Sequence, residues 1–173
     1  SGIEQNFYDS AILLTATPAP MPLFRCDKCI EFESDSYRPV MDRIEIEFVD
    51  DVVEYIKGID LDQCFPFVRL NSTTLIGDLV KNYLPSYGVL TSGEKDSDLY
   101  NSIVDRETIQ SSPLKGILTT SVSEVGINVT SYPSNLQMIA AFPDWNMSVD
   151  SIEQFFNRAR RTVTSHIECA KVI

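Results

Sequence analysis

From Arg43 onward, short apolar runs alternate with amphipathic stretches, and this alternation restricts the fold more than any other feature of the chain. RIEIEFV, Arg43 to Val49, alternates apolar and charged residues, the pattern of a strand with one face in solvent. Asp50 stands where an N-cap belongs, before a helix running to about Lys57 and stopped by Gly58. Phe65 to Leu70 reads as the next strand. Ser72 or Thr73 then caps a helix with Leu75, Leu79, Val80 and Tyr83 at helical spacing, ended by Pro85. Tyr87 to Leu90 reads as a strand and Asp96 to about Val104 as a helix. Gly116 to Thr120 is the most buried-looking strand, and Leu136 to Phe142 follows it. Asp150 caps a helix extending to about Arg161, and a last strand covers Ser165 to Val172. Strands that alternate with helices build βαβ units, so the expected fold class is α/β with a mostly parallel sheet flanked by helices.

The segment before this alternation behaves differently. AILLT, Ala11 to Thr15, is a short apolar run, and Pro18, Pro20 and Pro22 follow it closely. Such proline density denies both a helix and a central strand. The stretch to about Pro39 therefore reads as a linker, with one short strand near Cys29 to Glu33. The domain division expected is 1–39 for the run and linker and 40–173 for the α/β domain.

With 173 residues, 43% of them apolar, the chain can build one real core. No apolar run is long enough for a transmembrane helix, and SGIEQNFYDS at the start is too polar and acidic for a signal peptide. No membrane contact and a cytoplasmic setting are expected. The net charge of −11 argues against a free-standing nucleic-acid binder, because counterion release needs clustered Lys and Arg. The densest basic cluster is Arg158, Arg160 and Arg161. Cys26 and Cys29 form a lone C-x-x-C without a second pair, so no metal site is expected and the cysteines read as reduced thiols. Sequons begin at Asn71, Asn128 and Asn146; without a secretory signal they are chance occurrences.

GVLTSGEKDS, Gly88 to Ser97, approaches a P-loop and misses it. Lys95 comes one place late, and Asp96 stands where a magnesium-binding hydroxyl belongs. A carboxylate there would repel phosphate. The plain reading is a strand leading through a turn into a helix. Two later segments carry more. In ILTTSVSEVGINV, Ile117 to Val129, a buried strand breaks into a polar turn. There Thr120 and Ser121 can offer hydroxyls and amides to a phosphate, and Gly126 permits close backbone approach. In QFFNRARR, Gln154 to Arg161, the residues Gln154, Arg158 and Arg161 fall at i, i+4 and i+7, one face of a helix, with Phe155, Phe156 and Ala159 behind them. Arg160 points elsewhere, to solvent or nucleic acid. Each segment has an ordinary alternative: a buried strand and turn for the first, and a basic helix face paired with carboxylates for the second.

In order, these segments resemble the signature motifs of superfamily 2 helicases. LLTATPAP, Leu13 to Pro20, is similar to the third motif, which closes the first RecA-like lobe, and its L-T-A-T-P spelling looks more like DNA-translocating branches than like DEAD-box proteins. FVRLNSTTLIGDLVKNYL, Phe67 to Leu84, has the strand, polar turn and helix of the fourth. The fifth motif has a Thr, an Asp or Ser, four free positions, then Gly, Ile or Val, and Asp or Asn. Thr120, Ser121, Gly126, Ile127 and Asn128 fall on it. QFFNRARR resembles the sixth, with Asn157 in place of Gly and Phe155 in place of a common Arg.

The resemblance implies a second RecA-like lobe, of P-loop NTPase type without its own P-loop, preceded by the end of a first lobe. It implies ATP and Mg2+ held mainly by that first lobe, which would be part of the same parent chain. Arg158 and Arg161 would steady the γ-phosphate, and Gln154 would sense it. Gly126 and Asn128 would approach the nucleotide, Asn128 at a ribose hydroxyl. Thr120, Ser121 and Asn71 would hold nucleic acid, DNA in preference to RNA, while Thr15 and Thr17 couple the lobes. This chain alone is not expected to hydrolyse ATP. Asn157, Phe155 and the acidic balance favour a rival reading, a degenerate lobe used for protein contact. A nucleotide-binding α/β enzyme of another kind would need a phosphate loop that the chain does not offer.

Overall fold

The computed structural model describes residues 41–94, 97–110, 112–124, 127–142, 148–160 and 167–173. The chain divides into two compact units, Ser1–Glu33 and Ser34–Ile173, and every described residue belongs to the second. The expected third-motif segment with Thr15 and Thr17 lies outside the described residues, as do Gly126 and Arg161.

Among the described residues six strands appear in chain order: β1 Met41–Ile46, β2 Phe65–Arg69, β3 Tyr87–Leu90, β4 Gly116–Thr119, β5 Leu136–Ala140 and β6 Ile167–Val172. Four helices lie among them: α1 Val52–Lys57, α2 Thr73–Asn82, α3 Asp98–Arg106 and α4 Val149–Phe156. The strands form one sheet in the order β1-β6-β5-β2-β4-β3, and all its pairings are parallel. The fold is therefore α/β with an all-parallel sheet flanked by helices, an arrangement consistent with a RecA-like lobe.

Strand order and handedness place the helices. Parallel crossovers are right-handed, so connections running one way along the sheet cover one face and those running back cover the other. β1 to β2 and β2 to β3 run one way; β3 to β4, β4 to β5 and β5 to β6 run back. The core obeys this. Ile56 of α1 and Ile76 and Leu79 of α2 are buried with Val68, Leu118 and Ile139 on one face. Ile103 of α3 and Phe155 and Phe156 of α4 are buried with Phe67, Ile117 and Met138 on the other. Neighbours in sequence alternate between the two clusters, as the two-residue period of a strand requires.

The caps explain where the helices begin. α1 is capped by Asp51, whose Oδ1 accepts from the amides of Val53 at 2.8 Å and Glu54 at 3.1 Å, so the expected Asp50 lies one residue early. Ser72 Oγ accepts from Leu75 N at 3.2 Å and starts α2. Ser97 Oγ accepts from Tyr100 N at 3.1 Å, which moves α3 two residues past the expected start. Ser148, not Asp150, caps α4. Glu107 ends α3 at φ 51°, a left-handed conformation usually left to glycine. Gly116 is required by close approach: a Cβ there would stand 2.6 Å from Tyr87 Cε1 and 2.9 Å from Pro66 Cγ.

β1 departs from expectation. Its charged side faces solvent as its alternation predicts, but so does its apolar side, with Ile44 53% and Ile46 70% exposed. It is an edge strand paired only with β6 among the described residues.

Candidate functional site

β2 and β4 lie side by side, with Arg69 opposite Thr119 in the last pair of their ladder. Beyond that pair the two chains part. β2 continues into α2 on one face, while β4 continues into a short 3-10 turn, Ser121–Glu124, toward the other. This divergence at the carboxyl ends of parallel strands is a topological switch point, where open α/β sheets form a crevice for ligands. Asn71 and Ser121 stand two residues past the paired positions, both exposed, with Thr120 between strand and turn.

Local bonds build this rim. Thr119 is fully buried, and its Oγ1 donates to Leu90 O at 2.8 Å, tying the end of β4 to β3. Ser123 Oγ donates to Thr120 O at 2.9 Å, and Ser123 N reaches the same carbonyl at 3.2 Å, which closes the turn. Ser72 caps α2 beside Asn71, and the first turn of α2 carries no acidic residue to oppose its positive end. The rim is thus made of hydroxyls, a carboxamide and a helix N-terminus, groups that meet phosphate without cationic side chains.

Arg69 extends the site in a way that sequence reasoning missed. It sits at the end of β2, is only 2% exposed, and its Nη2 donates to Ser151 Oγ at 3.0 Å. It thereby joins the crevice to the first turn of α4. The available signal was a cation closing an otherwise apolar strand.

The arginine segment lies elsewhere. α4 leaves the carboxyl end of β5 and returns toward the amino end of the parallel β6, so its C-terminus points to the opposite end of the sheet from Thr120. α4 stops at Phe156, with Asn157 as its cap. Gln154 and Arg158 therefore do not share one helical face as their spacing suggested: Gln154 is on the helix and Arg158 follows it, while Arg161 lies outside the described residues. The helix stops because its continuation is claimed by another strand-like segment. Val129 pairs with Ala159, Val129 N donates to Arg158 O at 2.8 Å, and Arg160 N donates to Val129 O at 2.7 Å.

The side chains close the same seam. Arg158 Nε donates to Gln154 O at 3.0 Å and Nη1 to Ile127 O at 3.3 Å, which fixes the guanidinium plane between helix end and loop. Arg160 does not simply face solvent: Nε and Nη2 both donate to Asn128 Oδ1, at 3.2 and 3.0 Å. Tyr132 Oη donates to Arg160 O at 3.1 Å. Beneath the seam, Phe155, Phe156 and Ala159 are buried as expected, with the Phe155 and Phe67 rings edge to face at 5.3 Å.

The other flank of the 127–131 segment is laced to α3. Thr130 N and Ser131 N donate to Glu107 O at 2.9 and 3.2 Å, and Ile109 N to Ser131 O at 2.8 Å. The structure thus brings Asn128, Arg158 and Gln154 together, and Thr120, Ser121 and Asn71 together at the far end. Residues 120–129 join the two groups. No group of His, Cys, Asp and Glu among the described residues is arranged to hold a metal ion, and none of their helices is long and apolar enough to cross a membrane. No protein-family model matches the chain, and no curated protein matches its sequence.

Proposed function

We propose that this chain is the second RecA-like motor lobe of an ATP-dependent superfamily 2 helicase or translocase. The observation that carries this reading is the seam itself. The segments that resemble the fifth and sixth motifs lie far apart in sequence, yet they join through Val129 and Ala159 and through Arg158 and Ile127. A motor lobe needs this juxtaposition, because one segment meets nucleic acid and both meet nucleotide.

In this reading the crevice at Asn71, Thr120 and Ser121 takes the phosphates of a nucleic-acid strand, DNA in preference to RNA. ATP binds at the opposite end, against a first lobe of the parent chain that supplies the P-loop and the carboxylate for Mg2+. Arg158 and Arg161 steady the charge that develops on the γ-phosphate, as planar cations that meet phosphate oxygens bidentately. Gln154 senses that phosphate, and Gly126 lets the backbone approach the nucleotide. Thr15 and Thr17 couple the lobes. Arg158 is held by two carbonyls, so closure on ATP would redirect its donors toward phosphate.

The test uses the parent chain. Its ATP turnover should rise with DNA, and Arg158→Ala or Arg161→Ala should lower it by about 10³-fold or more. Unchanged turnover in both variants would overturn the arginine assignment. A second reading, a degenerate lobe for protein contact, is favoured by β1. Its apolar side is exposed, and Ile46, Phe48, Phe142 and Val172 line a groove of about 560 Å³ beside it. A parent chain without ATP turnover would favour that reading.

A further inference from the structure

We infer that Arg160 is a positioning residue, and that its clasp on Asn128 fixes the turn carrying Arg158. This rests on the motor reading for its catalytic consequence, and on hydrogen-bond geometry for the clasp itself. Arg160 is the odd member of its cluster. The resemblance gives roles to Arg158 and Arg161 and none to the cation between them.

Two donors of one guanidinium meet one carboxamide oxygen, at 3.2 and 3.0 Å. The main chain of Arg160 is held as well: its amide donates to Val129 O at 2.7 Å, and its carbonyl accepts from Tyr132 Oη at 3.1 Å. Tyr132 is buried, so that phenol is a fixed point. Arg160 therefore lies where three anchors of the 127–132 segment converge. It adjoins Arg161 in sequence, and Arg158 is two residues away across the Ala159 bridge. A turn held in this way presents Arg158 in one orientation rather than many, which is the preorganisation that charge stabilisation in a transition state needs.

The clasp also changes the role of Asn128. Its Oδ1 is engaged twice by Arg160, so the atom that would accept a ribose O–H is already committed. What remains for a nucleotide is the amide nitrogen, a donor only. Asn128 is then first a partner of Arg160.

The experiment has two arms. In the first, the parent chain is assayed for DNA-stimulated ATP turnover as wild type, Arg160→Leu, Asn128→Leu, the double variant, Asn128→Asp and Arg160→Lys. Arg160→Leu should lower kcat about fivefold or more while the KM for ATP changes less than about twofold. Asn128→Asp should lower kcat less than Asn128→Leu does, because a carboxylate accepts the same fork. Arg160→Lys should recover only part of it, since an ammonium lacks the fork. The double variant should be no worse than the more impaired single, because both break one interaction. A rise in KM without loss of kcat would make Arg160 a direct nucleotide contact, and full additivity would make the two residues independent; either overturns the proposal.

The second arm follows amide hydrogen exchange at Val129 and Arg160 in this chain. Arg160→Leu should speed exchange at both amides about fivefold or more and leave the β2 and β4 amides unchanged. Unaltered exchange at Val129 and Arg160 would overturn the clasp. Absence of ATP turnover in the wild-type parent would instead overturn the motor reading, and the catalytic role of Arg160 with it, while exchange still decides the clasp.

Discussion

Replacing Phe155 by alanine should cost more stability than removing either arginine side chain of the seam, because Phe155 is what fastens α4 to the sheet. Its side chain is fully buried, and its ring meets Phe67 edge to face at 5.3 Å and Phe156 at 5.6 Å. Truncating a buried Phe costs about 3–5 kcal/mol, and an aromatic pair contributes about 0.5–1.5 kcal/mol beyond its buried area. A loss of about 4 kcal/mol is a large share of the roughly 5–15 kcal/mol that stabilises a domain. With a urea slope of about 2 kcal/mol/M, the unfolding midpoint should fall by about 2 M. Far-UV circular dichroism across a urea series reads this directly.

The comparison with Arg158 sharpens the test. Arg158→Ala removes two bonds to half-buried carbonyls and should cost only about 1–2 kcal/mol. Phe155 also stands where the resembling family commonly has Arg. If that side chain were exposed as an arginine would be, Phe155→Arg would be tolerated. In the geometry seen it buries an unmatched cation under Phe67, and the chain should not fold. A loss below about 1 kcal/mol for Phe155→Ala, or a folded Phe155→Arg, would refute the placement of α4 and with it the seam.

Three further outcomes follow from other parts of the fold. Gly116→Ala forces a methyl to within 2.6 Å of the Tyr87 ring and should destabilise by about 1–3 kcal/mol, read as a lower melting temperature. Glu107→Gly relieves a left-handed residue at φ 51° and should raise the melting temperature by about 2–4 °C. Stability should also fall in alkali. Burial pushes up the phenols of Tyr55 and Tyr87 and the Cys64 thiol, and the hydrogen bond from Lys171 to Tyr55 raises the ammonium. All four groups therefore lose their protons first in the unfolded chain. The unfolded state then binds fewer protons, so stability declines as pH rises above about 8.5. The urea midpoint at about pH 10.5 should lie below that at about pH 7.5, and an equal midpoint would contradict the assignment.

The sheet was legible because its signals are local. Tyr87 to Leu90 is found with its expected bounds, and β2, β4 and β5 lose only a residue or two at their ends. Serine or aspartate caps lie within two residues of those anticipated, since a cap depends on which side chain reaches the first free amides. The end of α4 was not legible. QFFNRARR has helical spacing throughout, and what stops the helix is Val129, a residue remote in sequence whose backbone bonds Arg158 and Arg160. Arg69 and Arg160 escaped for the same reason: an arginine in a sequence reads as solvated until its partner is known. The strand and turn that begin the Ile117 to Val129 segment were the better read of the two, because a strand end and a polar turn need no remote partner.

The two ends of the site set a condition on how such a lobe can work. Thr120 leaves β4 at the carboxyl end of the sheet, whereas the turn after α4 lies toward the amino end. Strands of four to six residues here, at about 3.3 Å per residue, separate those ends by about 13–20 Å. A phosphate chain at Ser121 and a nucleotide at Arg158 could not touch across that span. Any influence of one on the other would pass through protein, and residues 120–129 are the segment that reaches both. That segment is not slack where it meets the arginines. Just past it Thr130 and Ser131 are bonded to Glu107, while Asn128 and Val129 are bonded to Arg160 and Arg158, so a shift of residues 127–131 would be resisted by α3 and passed toward α4. The asymmetry of the bonds gives the direction. The α3 flank uses backbone groups that no side-chain substitution removes, while the α4 flank adds the Asn128 to Arg160 clasp, which a single change abolishes. Weakening the clasp should therefore loosen the arginine turn first and leave the rim at Asn71, Thr120 and Ser121 in place; in the motor reading, affinity for DNA then persists after its stimulation of ATP turnover has fallen.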